Sequence, residues 1–277
     1  MINPKMEEKV CKIFLWIMAS LTLLILVAII GNVLSRGLGF IDLEFLLETP
    51  RQMGREGGII DSIISTFYLI IISLLIATPV GVGSAIFLTE YKKKGKLLRL
   101  IRFTTESLAG IPSIIFGIFG FAFFVIFCGM GWSILSGGLT LSLMILPTLV
   151  RTSEEAISSV PNSFREGSLA MGATRWQTIS GVVIPSALPG IITGIILSTG
   201  RAVGESAAVI LTAGSALGIP RTLFDPGRSM SVHLYVLAVE GISMEKAYAT
   251  GAVLIMAIVL INLMANLFTA RQRAKVR

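Results

Sequence analysis

From Ser107 to Val150 the chain carries no charged residue. A run of this kind has no place on a water-exposed surface. It is also too long for a single crossing, because about 20 apolar residues already span the hydrocarbon layer as a helix. It therefore reads as two spans, roughly Leu108 to Cys128 and Leu135 to Ser153. Gly129-Met130-Gly131-Trp132 and Ser136-Gly137-Gly138 mark the turn between them. The whole chain of 277 residues agrees, with 54% hydrophobic and only 14% charged residues, outside the range of a soluble domain. Helices satisfy their own backbone groups in lipid, so the fold class expected is an all-α integral membrane protein.

Four further spans follow from the same criterion. They are Ile13 to Ser35, Ser62 to Thr89, Pro189 to Ser215 and Ala247 to Ala270. The first is too apolar and too long for a cleaved signal, and no small-x-small site follows it. The second contains Thr78-Pro79-Val80-Gly81, where a kink is expected. Residues 1–61 then form an N-terminal span with an external loop, 62–270 a transmembrane core, and 271–277 a basic tail. Six spans place both termini on one side. That side would hold roughly 16 of the Lys and Arg residues against roughly 6 on the other, which puts it in the cytoplasm. The net charge of +7 is thus a topology signal, and nothing interleaves aromatic and basic residues as a nucleic-acid surface would. The basic stretch Tyr91 to Glu106 reads as a cytoplasmic loop, with contact to anionic lipid as its alternative. Asp225-Pro226-Gly227 is expected to turn the last external loop, in which Val232 to Val239 is apolar but too short to span.

Two stretches carry chemistry. Ser163 and Glu166 have the spacing of a capping box, and Thr174 and Gln177 repeat it. Gly172 between them suits a left-handed helix stop, and Pro185 and Pro189 favour helix starts. The result is a polar helix–turn–helix feeding a span. That span carries Arg201 and Glu205, four residues apart and therefore on one helix face. Arg201 would lie about 18 Å beyond Pro189, near the middle of the membrane. A charge there either fixes helix packing as an ion pair or faces a translocation path. The planar guanidinium fork suits a tetrahedral oxyanion. His233 reads as an outer polar residue near an interface, Trp132 and Tyr235 as interfacial anchors. Cys11 and Cys128 are too far apart in the topology to pair, and with one histidine no metal site is expected.

Glu166-Gly167-Ser168, then Gly172, then Val182-x-Ile184-Pro185 resembles the EAA loop of ABC importer permeases, with Gly167 and Ser168 in place of two alanines. Gly200-Arg-Ala-Val-Gly-Glu-Ser-Ala-Ala-Val-Ile-Leu-Thr-Ala-Gly214 is similar to the phosphate branch of that family. Leu108-Ala-Gly-Ile-Pro-Ser-Ile-Ile-Phe-Gly117 and the segment from Ser231 to Gly251 agree, and favour its PstA type over the related PstC type. The resemblance implies a six-span type I importer permease with a cytoplasmic coupling loop, in a prokaryotic plasma membrane. It implies that Glu166, Gly167, Ser168, Gly172 and Pro185 serve coupling to a dimeric ATP-binding subunit. It further implies a second permease subunit and an external phosphate-binding protein as partners. No phosphate-binding loop motif is present, so ATP would be used by the partner and no cofactor held by this chain. Another oxyanion permease, for sulfate or molybdate, would keep the coupling loop. A secondary transporter or channel would have no use for it, and a serine hydrolase would need His233 inside the bilayer.

Overall fold

A computed structural model describes residues 4–91 and 95–276; Lys92, Lys93 and Lys94 of the basic stretch lie outside these residues, as does Arg277. Among the described residues the fold is helical, with one isolated bridge between Arg51 and Glu56. Among the described residues five helices are long and apolar enough to cross a membrane, and a bent pair of helices brings the number to six if the pair is one span.

Helix α1 (Pro4–Gly37) is the first of them and packs against the last, α12 (Met244–Val276). The short α2 (Leu43–Leu47) follows, capped by Asp42, which accepts the N–H of Phe45 at 2.7 Å. α3 (Ile60–Ile86) passes through Pro79 as one helix and ends in a wide π-turn, Phe87–Tyr91. The basic stretch expected as a loop is helical from Lys96: α4 (Lys96–Ala109) is amphipathic, with Leu100 and Phe103 exposed.

The third crossing differs from its expected course. It does not run straight from Leu108. α4 ends at Gly110, and α5 (Ser113–Gly120) with its π-turn extension Phe121–Phe127 leaves at 102°. Pro112 explains the break, since a proline pushes the preceding residue out of the helical region. The turn expected next is half right. Gly129 and Gly131 adopt positive φ of 68° and 66°, but Ser136, Gly137 and Gly138 belong to α6 (Ile134–Ser158), which Ser133 caps.

α6 is the centre of the bundle, flanked by α3, by α9 (Ile184–Val203) and by α5. Two glycines set these distances. A Cβ at Gly138 would lie 2.5 Å from Ile72 of α3, and one at Gly120 of α5 would collide with Thr140 of α6. Small residues let membrane helices approach in this way. Around them Leu69, Leu141, Met144, Ile145 and Leu149 form the buried core.

The fifth crossing begins earlier and ends sooner than expected. α7 (Asn162–Ala170) and α8 (Arg175–Thr178) precede it, and α8 runs through a π-turn, Ile179–Val183, into α9 without interruption. Pro185 falls in the first turn of α9, whereas Pro189 is inside it. The helix then stops at Gly204, and a separate helix α10 (Ala207–Thr212) carries the chain on. The short apolar segment of the last loop is helix α11 (Met230–Val239), against α12.

Candidate coupling helix and anion path

The two short helices between α6 and α9 are built by local chemistry. Pro161 starts α7 with φ −57° and ψ 139°, and Phe164 N–H bonds its carbonyl at 3.1 Å. The expected capping box at Ser163 and Glu166 is therefore not formed: the helix already contains Ser163, and no side chain caps it. Proline sets the start because its fixed φ and its missing donor suit that position. Gly172 has φ +87°, and Ala173 N–H returns to Ser168 O at 3.3 Å, closing the helix end. The second box forms as expected. Thr174 Oγ1 accepts from Gln177 N at 3.3 Å, and Gln177 Oε1 accepts from Thr174 N at 2.8 Å.

A knot of charges ties α7 to the bundle. Arg165 donates Nε and Nη2 to Glu90 Oε1 at 3.0 and 2.8 Å, Nη2 to Ile157 O at 2.8 Å, and Nη1 to Val160 O at 2.6 Å. The two side chains are only 15% and 9% exposed. Arg175 donates to the Glu90 carbonyl and stacks over Tyr91 at 5.0 Å. One arginine thus joins α7 to the π-turn that ends α3, to the last turn of α6 and to the Val160 carbonyl just past it. Sequence reasoning passed over both Arg165 and Glu90. The available signal was an acid, Glu90, at the end of an otherwise uncharged span.

The five residues expected to serve coupling divide by surroundings. Glu166 is exposed, and so are Gly167 and Gly172, where a Cβ would meet nothing within 4 Å. Ser168 is half-buried, and its Oγ lies 2.9 Å from Thr178 Oγ1, bracing α7 on α8. Pro185 sits farther along, at the start of α9. Phe164 and Leu169 of α7, Met171 at its end and Trp176 of α8 are exposed apolar side chains, Met171 the most at 89%. α7 and α8 thus expose apolar side chains and, at Gly167 and Gly172, unobstructed backbone.

Arg201 and Glu205 are placed differently from the expected pair. Arg201 is exposed in the last turn of α9. Glu205 lies beyond the break, where its Oε1 accepts Ala208 N–H at 3.1 Å and its carbonyl accepts Ser231 Oγ at 2.6 Å. The helix that would have stacked them one turn apart ends between them. Among the described residues, neither forms an ion pair. Glu205 instead caps α10, and Gly117 of α5 packs against Ala208 at the same level.

His233 lies inside the protein rather than on its surface. It is fully buried, in contact distance of Gly54, and neither ring nitrogen has a hydrogen-bond partner among the described residues. Burial, with Arg228 and Lys246 adding to it, lowers its pKa to about 4, so the ring is neutral. Tyr235 and Trp132 are exposed, and Trp132 donates Nε1 to Leu211 O at 3.1 Å.

Residues 77–277 match the family described as the binding-protein-dependent transport system inner membrane component. The chain belongs to this permease family. Among the permease's relatives, a probable ABC transporter permease protein, YqgI of Bacillus subtilis, is 36% identical over 96% of both chains. The phosphate transport system permease protein PstA of Pasteurella multocida is 31% identical, covering 87% of this chain and 86% of the relative. Solved structures share the fold at lower identity. A bacterial alginate ABC transporter chain superposes with a TM-score of 0.68 at 18% identity, covering 95% of this permease and 96% of that chain. A chain of the MetNI methionine ABC transporter gives 0.63 at 20% identity, with 78% and 94% covered. The permease is thus a multi-pass subunit of the prokaryotic inner membrane, in a family of transmembrane rather than enzymatic components.

Proposed function

We propose that this chain is one of two related permease subunits of an ATP-driven importer for inorganic phosphate. The observation that carries the reading is the run from Gly200 to Gly214 with its exposed Arg201, which forms no ion pair among the described residues. It is supported by the likeness to PstA over most of the chain. A guanidinium with no carboxylate partner is free to bind a tetrahedral oxyanion through its planar fork. Glu205, one residue past the helix break, would oppose a bound anion and aid its release.

The surface of α7 supports docking on a dimeric ATP-binding subunit. Gly167 and Gly172 leave room there, Glu166 offers a charge, and Phe164 and Met171 offer apolar contact. Arg165 and Ser168 hold the helix in place from behind. In this reading ATP is bound and hydrolysed by the partner, this chain holds no cofactor, and an external binding protein delivers phosphate. Both termini and α7 face the cytoplasm, as the Lys and Arg bias requires. Residues 1–61 form an accessory span and outer loop, 62–270 the transport core, and 271–277 a basic tail beside lipid.

The test is labelled phosphate uptake in cells lacking other phosphate transporters, with membrane level and ATPase co-purification checked. Arg201→Gln should abolish uptake, and Arg201→Lys should restore little of it. Near-normal uptake by the charge-free pair Arg201→Gln and Glu205→Leu would remove Arg201 from the path. The same assay with sulfate or molybdate as competitor separates the other oxyanion readings.

A further inference from the structure

At the end of the bundle away from α7, a cavity of about 760 Å³ opens among Met53, Trp132, Leu211, Ser215, Pro226 and Arg228. Its lining is mostly apolar, with Ser215 beside Arg228, the one charged residue among those lining it. Arg228 is 4% exposed. Its Nε donates to Ser215 O at 2.7 Å, but Nη1 is buried with no hydrogen-bond partner among the described residues. No carboxylate among them lies within 4.0 Å of the guanidinium.

Asp61 and Glu240 act on Arg228 from farther away. Asp61 is already engaged: its Oδ1 accepts Ser62 N–H at 2.7 Å and its Oδ2 accepts Gly218 N–H at 2.9 Å. Burial lowers the Arg228 pKa from its ordinary value, with Asp61 and Glu240 opposing the shift, and a guanidinium stays protonated in proteins. The chain therefore keeps a buried cation whose donors are mostly unused, a costly arrangement. A purely structural tie to Ser215 would need one donor, which a neutral side chain could supply.

The position of the cavity indicates what the spare donors are for. Ile210 and Leu211 of α10 form part of its wall. The other end of α10 is the break that holds Glu205, and six residues of helix cover only about 9 Å. Ser231, three residues after Arg228, bonds the Glu205 carbonyl. The cavity and the Arg201–Glu205 region thus lie at opposite ends of one short helix.

We propose that Arg228 and this cavity form an entry site, in which a tetrahedral oxyanion is held before it passes along α10 to Arg201. The inference rests on the oxyanion-importer reading and adds the first station of its path. Ala216, exposed and part of the same cavity wall, provides an independent handle.

The experiment uses the complete transporter in liposomes, with its external binding protein and radiolabelled phosphate, and separates maximal rate from the binding-protein concentration at half-maximal rate. Arg228→Gln should lower the maximal rate about tenfold or more, as expected for losing one charge-assisted hydrogen bond in transit. Ala216→Asp, which places a permanent carboxylate in the cavity, should do the same. The proposal is overturned if Arg228→Gln keeps at least half the maximal rate. It is also overturned if Ala216→Asp transports normally while Arg228→Gln does not, for then Arg228 is a structural tie. A higher binding-protein requirement at unchanged maximal rate would make Arg228 a docking contact and equally reject the entry site. If Arg228→Gln fails to assemble, Ala216→Asp decides. A wild-type complex that moves no phosphate would fail the importer reading first, and the entry site with it.

Discussion

Breaking the Glu90–Arg165 pair should loosen α7 without unfolding the bundle, and the two single variants should differ. In Glu90→Ala, Arg165 keeps its bonds to the carbonyls of Ile157 and Val160. The loss is a charge-assisted interaction in a mostly buried setting, about 1.5–3 kcal/mol. In Arg165→Ala, both carbonyls lose the guanidinium donor, although Ile157 O keeps the Val160 N–H, and the Glu90 carboxylate stays behind, 9% exposed and without its counter-charge. Leaving a buried charge alone costs about 3–5 kcal/mol. The double variant should cost clearly less than the sum of the two, because neither charge is then stranded. At about 1.4 kcal/mol per factor of ten, a 3 kcal/mol loss raises local opening about 150-fold. Hydrogen–deuterium exchange of the purified complex reads this directly from the backbone amides of α7. Protection there should fall more in Arg165→Ala than in Glu90→Ala, with α3 and α6 amides in mid-bundle little changed. Equal effects of the two single variants, or full additivity in the double, would refute the reasoning.

Gly167→Trp adds a large ring to the exposed face of α7, where the glycine faces open space; the protein should reach the membrane but recover less ATPase on purification, and unchanged recovery would reject the docking surface. His233 has a folded pKa of about 4, below its unfolded value of 6.5, so the unfolded state takes up the proton first and stability falls as pH drops from about 6.5 towards 4, by up to about 3 kcal/mol. His233→Leu should flatten that part of the thermal-stability profile of the detergent-solubilised protein, and an unchanged acid slope would contradict the assignment. Cysteine labelling at position 275 should require permeabilised membranes and labelling at 52 should not; free access to 275 from outside intact cells would invert the topology.

Features written in adjacent residues were readable from the sequence. The uncharged runs give the crossings, Gly172 the helix stop, and Thr174 with Gln177 the second cap, because each depends on chemistry within one or two turns. The Ser163 box failed for an equally local reason: Pro161 already sets the helix start, and a capping pattern one residue inside a helix has no cap to make. The break at Gly204 was invisible, since glycine is common within membrane helices and the apolar run resumes at Ala207. It is held by contacts from elsewhere, Ser231 on the Glu205 carbonyl and Gly117 against Ala208. The Glu90–Arg165 knot is likewise a meeting of residues 75 apart, which no local periodicity announces. Arg201 and Glu205 were found by being charged in an apolar run, yet their relation was not, because it depends on that same break.

The facing of Gly138 by Ile72, and of Gly120 by Thr140, bears on how such a chain can change over time. On one side α6 yields volume to α3; two residues later, towards α5, it takes volume up. Each contact is a shared space with one large occupant. A methyl group gained at position 138 is harmful while isoleucine stands at 72 and becomes admissible once that side chain has shrunk; the reverse order passes through a cavity rather than a clash. The same holds for 120 and 140. Drift at these sites should therefore be paired and ordered, with the smaller partner changing second. Related permeases would then carry the bulk on either helix of a pair, and seldom on both.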